Sequence, residues 1–189
     1  IPQVLMQKGN DLLKTDPAAA ATVYQQILDG DATNGVAALR LGAALNAAGK
    51  VEEAVKAFEI AAANGQEATA KKQLSNVFLK QASNFLKAKK FSDAVEAALK
   101  CNEYVANPTA LQIAGQASQL GGKNNDAIKY FSDYLEAAPT AKNAGQIAYT
   151  VGALYQQAGN NAKAKEFYQK AMSDPKYGAE AKKLFDALK

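Results

Sequence analysis

Two stretches of the chain repeat each other interval for interval. Leu41-Gly42-x-x-Leu45 is followed by Gly49, Ala54, Phe58 and Ala61; Val151-Gly152-x-x-Tyr155 is followed by Gly159, Ala164, Tyr168 and Ala171, with a constant offset of 110 residues. Such self-similarity marks a chain of stacked supersecondary units, none of which buries its apolar face alone. Composition indicates which kind of unit. The chain is rich in Ala, Leu, Lys and Gln, with only 5 Pro and 13 Gly in 189 residues, and those are the residues least costly in a helix. No apolar run approaches the roughly 20 residues that span a bilayer.

The phase of the repeat is uneven. Its key small residues are Ala20, Ala54, Ala94, Ala127 and Ala164, giving steps of 34, 40, 33 and 37. An excess of about three residues is close to one helical turn. The stretch from Gln66 to Lys90 has neither Gly nor Pro and carries Leu74, Val77, Phe78, Ala82 and Phe85 at helical spacing, which predicts one overlong, projecting helix. Thr140 to Ala158 is expected to form a helix about a turn longer than standard, with Gly145 leaving a kink open. Residues 177–189 place Ala181, Leu184, Phe185 and Leu188 on one face and charges elsewhere, the pattern of an amphipathic cap. The first helix shows no comparable cap. The chain starts at Ile1 without a Met, which is expected of a processed or excised fragment, with any signal peptide or lipid anchor upstream.

The positions resemble the tetratricopeptide repeat (TPR) family, whose unit is a helix-turn-helix. The second unit supplies Ala38, Leu41, Gly42, Leu45, Ala54, Phe58 and Ala61; the fifth supplies Ala148, Val151, Gly152, Tyr155, Ala164, Tyr168, Ala171 and Pro175. The fourth supplies Leu111, Ala114, Gly115, Ser118, Ala127, Phe131 and Pro139, with Tyr134 where Ala is expected. Two units are looser. The third offers Phe78, Ala82, Phe85, Ala94, Ala98 and Cys101, Ala82 replacing the Gly and Ala98 the aromatic; the first offers Gly9, Leu12, Ala20 and Tyr24 with a turn one residue short. The resemblance implies an all-α, right-handed superhelical solenoid of about five units, at residues 2–34, 35–68, 69–107, 108–141 and 142–176, closed by a capping helix at 177–189.

Little in the chain suggests catalysis. It has no His, which removes the commonest general base and the commonest metal ligand together. One Cys and no His cannot build a Cys/His zinc site. Cys101 falls in a small-residue packing slot and reads as a buried thiol, a reactive role being the alternative. Glu52 and Glu53 fall where a helix starts and favour its positive end. Gly121-Gly122 reads as an inter-helix turn, not a phosphate loop. We expect no enzyme, no cofactor and no metal.

The net charge is +4, and Arg40 is the single Arg. The excess is mild, and Lys lacks the fork that grips phosphate bidentately, so nucleic acid is not the expected partner. Lys71, Lys72, Lys80, Lys87, Lys89 and Lys90 still form a run with no acid between Glu67 and Asp93. It reads as a solvated helix face or as a site for an acidic partner or anionic surface.

In the family, the first helix of each unit lines a concave groove that receives peptides. Carried across, these positions are Asn10, Arg40, Asn46, Asn76, Lys80, Ser83, Lys87, Gln112, Gln116, Gln119, Gln146, Tyr149 and Gln156. Amides both donate to and accept from a peptide backbone. The family's clamp for a chaperone's C-terminal carboxylate is not expected: of its residues Asn10 is present, but Met6 and Arg40 replace a Lys and an Asn, while Asn76 and Lys80 take the last two places. The resemblance thus implies a non-catalytic scaffold for a protein or peptide partner. A structural subunit that docks through its convex face or overlong helix is the rival, and a Lys-rich anionic-surface binder a third reading. Abundant Lys, Asn and Gln with one Arg suggests a bacterial protein, with the periplasm or cell surface preferred.

Overall fold

The computed structural model describes residues 2–188; the expectations that fall on Ile1 and Lys189 lie outside the described residues. Two compact units emerge, one holding the residues up to Phe78 with Glu103–Val105, the other Leu79–Asn102 and the residues from Ala106 onward. All regular structure among the described residues is helical. The first unit contains α1 (Pro2–Leu12), α2 (Pro17–Gly30), α3 (Gly35–Ala47), α4 (Val51–Ala61) and the front of α5 (Glu67–Lys87). The second contains the end of α5, most of α6 (Phe91–Tyr104), then α7 (Pro108–Leu120), α8 (Asn124–Ala137), α9 (Ala144–Gln157), α10 (Asn161–Ala171) and α11 (Gly178–Ala187). Helices adjacent in sequence pack together: α1 on α2, α2 on α3 and α3 on α4 in the first unit, α7 on α8, α8 on α9, α9 on α10 and α10 on α11 in the second.

Why these helices pair follows from the repeated small residues. Ala20, Ala54, Ala94, Ala127 and Ala164 are each 0% exposed, so the residues that set the phase are the floor of the core. Above them lies one ring per regular hairpin: Tyr24, Phe58, Phe131 and Tyr168, each at most 1% exposed. Each ring sits on a glycine of its partner helix. A Cβ added at Gly9, Gly42 or Gly152 would come within 2.5, 2.6 and 2.8 Å of Tyr24, Phe58 and Tyr168, and one at Gly115 would collide with Phe131. Burying such a ring contributes roughly 2–3 kcal/mol, and the missing side chain is what lets it in. Gly9 and Tyr24 are one residue closer in sequence than the other three pairs, as the short first turn requires. In the third hairpin both partners change together. Ala82 stands for the glycine and Ala98 for the ring, and both are buried.

The turns inside hairpins follow one rule. Gly49, Gly122 and Gly159 adopt φ of 79°, 75° and 78°, and the residue after each donates its N–H five residues back, to Leu45, Ser118 and Tyr155. This is the C-terminal motif in which a left-handed residue lets the chain satisfy its last carbonyls. The third hairpin closes the same way, Lys90 N–H donating to the Phe85 carbonyl, but the left-handed residue is Lys89 at φ 58°. The first hairpin instead uses Asp16, which accepts from the Ala19 amide and precedes Pro17. Asn34, Asn107 and Asn160 cap α3, α7 and α10 in the same manner.

The phase slips resolve differently from each other. α5 has 21 residues against 13 or 14 in α3, α7 and α9, so the slip of six is taken up as helix. Gln66 belongs to a kinked turn at 62–66, where Gly65 takes φ 82°, and residues 88–90 form the hairpin turn. The expected long helix at Thr140 to Ala158 does not form. α9 starts at Ala144 and has 14 residues, and the surplus lies in the connection at 138–143. Two contacts hold it there: the Tyr134 hydroxyl donates to Asn143 Oδ1 at 2.5 Å, and Gly145 runs beneath Asp174, whose Cβ would lie 2.5 Å from an added Cβ. Gly145 therefore serves close packing in the first turn of α9, not a kink. At the C-terminus α11 lays Ala181, Leu184 and Phe185, and the Leu188 that follows it, on Ala148, Ala164, Tyr168 and Ala171, the expected cap.

Candidate functional site

The predicted face residues share a helical register. Counted from the close-packed small residue of each first helix (Gly9, Gly42, Ala82, Gly115 or Gly152), eleven fall three before, one after or four after it, or next to those places, and Asn76 and Gln146 fall six before it. At 100° per residue these span about a third of each helix's circumference, to one side of the packed seam. None of the thirteen is buried.

In the first unit Asn10, Arg40, Asn46 and Asn76 are exposed on α1, α3 and α5. Asn10 already has an internal role: its Oδ1 accepts from the Tyr24 hydroxyl at 2.8 Å. Burial pushes the Tyr24 phenol above its ordinary value, the Arg40 charge pulls the other way, and Asp11 adds to the rise. Asn10, Tyr24 and Arg40 are thus brought into one electrostatic neighbourhood. The bond to Tyr24 occupies one of the two lone pairs of the Asn10 carbonyl oxygen.

In the second unit Lys80, Ser83 and Lys87 lie on α5, with Ser83 half-buried. Gln112, Gln116 and Gln119 line α7 at spacings of four and three, the first two half-buried, and none of these amides is hydrogen-bonded among the described residues. Gln146, Tyr149 and Gln156 follow on α9. Gln156 Oε1 accepts from the buried Tyr168 hydroxyl at 2.6 Å, repeating the role of Asn10. Burial again raises the Tyr168 phenol, with Tyr149 and Glu180 adding to it. Tyr149 places its ring 5.8 Å from Tyr168 and 5.3 Å from Tyr177, so one side of it belongs to the fold. Gln146, like Asn46 and Asn76 in the first unit, has no side-chain hydrogen bond among the described residues, but among these first helices α7 alone carries three such amides in a row.

The lysine run divides as well. Lys71 bonds Glu67 at 2.6 Å, and that bond, with the lysine charge, holds the Glu67 carboxyl below its usual value. Lys72, Lys80, Lys87, Lys89 and Lys90 are exposed. Cys101 is 0% exposed, in the packing slot expected for it.

One feature was not legible in the sequence. The 138–143 connection walls a cleft of about 530 Å³ against the end of α10, with Pro139, Lys142, Gly145, Lys170 and Asp174 among its lining. The step of 37 between Ala127 and Ala164 signals an insertion, but not whether it is helix or loop.

No family model and no curated protein sequence matches the chain. Among solved structures it is similar to a MamA protein at 16% identity and TM-score 0.51, over 95% of this chain and 94% of that one. A second MamA structure aligns at 17% and 0.50, over 91% and 96%. MamA of AMB-1 aligns at 22% and 0.51, over 90% and 89%. These neighbours are TPR proteins, and the likeness gives this chain a TPR-like, all-α fold.

Proposed function

We propose that this TPR-like chain is a non-catalytic scaffold that holds an extended segment of a protein partner along the first helices of its hairpins. The carrying observation is the row of Gln112, Gln116 and Gln119 on α7, one face of a rigid helix with no hydrogen bond from these amides among the described residues. Each amide offers two N–H groups and one acceptor, the complement of a peptide unit, and extended chains are recognised mainly through such backbone pairing. The contrast within the molecule supports the reading: Asn10 and Gln156 serve buried tyrosines, while the α7 amides serve nothing internal. Lys80, Ser83, Lys87, Gln146 and Tyr149 lie on first helices of the same unit.

The test is replacement of Gln112, Gln116 and Gln119 by Ala. Peptides selected from a random library against the wild type should lose most of their affinity for the triple variant, with helical circular dichroism unchanged. Equal binding to both proteins removes the α7 face from the proposal.

A second reading draws on one specific observation, the 21-residue α5. Its surplus turns and exposed lysines would suit docking into a larger assembly or onto an anionic surface. Binding that weakens steeply between low and moderate salt would favour the charged surface.

A further inference from the structure

Two asparagines in the chain are followed by glycine, Asn34 and Asn64, and the fold stacks the two pairs on each other. Asn34 and Gly35 open α3, while Asn64 and Gly65 form the kinked turn between α4 and α5. A Cβ added at Gly35 would collide with the Asn64 carbonyl. An Asn–Gly pair is chemically vulnerable, because glycine has no side chain to shield its nitrogen from the neighbouring carboxamide.

The two pairs are held differently. In both, ψ of the asparagine is positive, 86° at Asn34 and 48° at Asn64, which turns the glycine nitrogen away from the side chain. The backbone must rotate at that bond before the nitrogen can reach Cγ, so the rate depends on what the rotation disrupts. At Asn34 it disrupts the start of α3. Asn34 Oδ1 accepts from the Ala37 amide at 3.0 Å, the Asn34 carbonyl accepts from the Ala38 amide at 3.0 Å, and Gly35 is buried. At Asn64 the side chain is tied by one bond, from Nδ2 to the Ile60 carbonyl at 2.8 Å. None of residues 62–66 is buried, and Gly65 is exposed, with nothing within 4 Å of an added Cβ. Local opening is cheapest where backbone is exposed and contacts are few.

We infer that Asn64 is a modification site, converted by water without an enzyme to aspartate and isoaspartate, and that the fold withholds Asn34 from the same reaction. The Gly65 nitrogen gives up its proton to solvent and attacks Asn64 Cγ. The new N–Cγ bond closes a succinimide, the Cγ–Nδ2 bond breaks, and Nδ2 leaves as ammonia after taking a proton from water. Water then opens the ring. Cleavage between the ring nitrogen and Cγ leaves aspartate; cleavage between that nitrogen and the main-chain carbonyl carbon leaves isoaspartate. The balance is one water consumed and one ammonia released, with no change of oxidation state.

The change bears on the fold because the Asn64 amide donates at the end of α4. A carboxylate there cannot donate and brings negative charge to the negative end of the helix. Isoaspartate also lengthens the main chain by one carbon where the Asn64 carbonyl rests on Gly35. At Asn34 the same change is mild, since a carboxylate still accepts from Ala37 and suits the positive end of α3. The site uses none of the first-helix face and stands independently of that proposal.

The test is incubation of the intact chain in mildly alkaline buffer, with samples digested over time. The Asn34 and Asn64 peptides are followed by mass and by chromatographic separation of aspartate from isoaspartate. Asn64 should convert about tenfold faster than Asn34, the factor of one capping bond, and guanidinium chloride should bring the two rates together. Asn64→Asp should lower the melting temperature, and Asn34→Asp should not. Asn64 converting no faster than Asn34 in the folded chain, a bias that persists unchanged in guanidinium chloride, or melting of Asn34→Asp below Asn64→Asp overturns the proposal.

Discussion

Replacing Lys89 with Gly should stabilise this protein, although it deletes a side chain from a lysine-rich surface. Lys89 is the one non-glycine residue at positive φ among the described residues, at 58°. It sits where the second, fourth and fifth hairpins place Gly49, Gly122 and Gly159. An L-residue in the left-handed region costs roughly 1–2 kcal/mol, because Cβ crowds the neighbouring carbonyl oxygen. Glycine escapes that strain but adds about 0.5–1 kcal/mol of freedom to the unfolded chain. The net expectation is a gain of about 1 kcal/mol. Nothing competes with it, since a Cβ at each equivalent glycine meets no atom within 4 Å and Lys89 has no ion pair or side-chain hydrogen bond among the described residues. The turn's own bonds, Lys89 N–H to Leu86 and Lys90 N–H to Phe85, are backbone bonds that glycine preserves.

The assay is urea unfolding followed by circular dichroism, with an unchanged slope required before midpoints are compared. Two companions separate the causes. Lys89→Ala keeps the strained backbone and removes the charge, so it should leave stability nearly unchanged. Lys80→Gly puts glycine inside α5 and should cost about 1 kcal/mol. A loss of stability in Lys89→Gly refutes the backbone argument. An equal gain in Lys89→Ala assigns the effect to relief of repulsion with Lys87 and Lys90 instead.

Two further outcomes follow from the packing. Gly115→Ala drives a methyl into the Phe131 ring and should cost about 1–3 kcal/mol, whereas Ala82→Gly in the ringless third hairpin should cost only about 1 kcal/mol; equal losses in thermal or urea unfolding would show that the ring is not what demands the glycine. Tyr168 has a raised phenol pKa from burial, so its stabilising share is complete below the unfolded value of about 10 and is lost as pH rises through the folded value. Tyr168→Phe should therefore blunt the fall in stability above about pH 10, and an alkaline unfolding curve identical to wild type would count against that assignment.

The face residues show how legibility varied. Their register could be read from sequence because Gly115, Gly152 and their equivalents fix which way each helix is turned. Whether an amide is available could not. Asn10 and Gln156 look like Gln116 in sequence, yet they accept from tyrosines 14 and 12 residues away, a pairing that exists only once the hairpin closes. Ser118 was visible as a departure from the repeat, but a serine in a slot for large residues says nothing about whether its neighbours collapse around it, and the fold leaves a cleft of about 180 Å³ beside it.

The sequence by itself determined the helices, their pairing and the phase of the repeat. These rest on short-range physics: caps such as Asp16 and Asn107, helix-favouring composition, and small residues spaced to meet one ring per hairpin. Of the two irregular steps, one was legible in the same way, and only the tertiary structure decided the other. The surplus before Ala94 extends α5, because nothing from Glu67 to Lys87 interrupts a helix. The surplus before Ala164 becomes the loop at 138–143, because the Tyr134 hydroxyl holds Asn143 and Asp174 lies over Gly145. The repeat's first sign was a constant interval, but where the interval changes the outcome is set by contacts between segments, which spacing along the chain does not record.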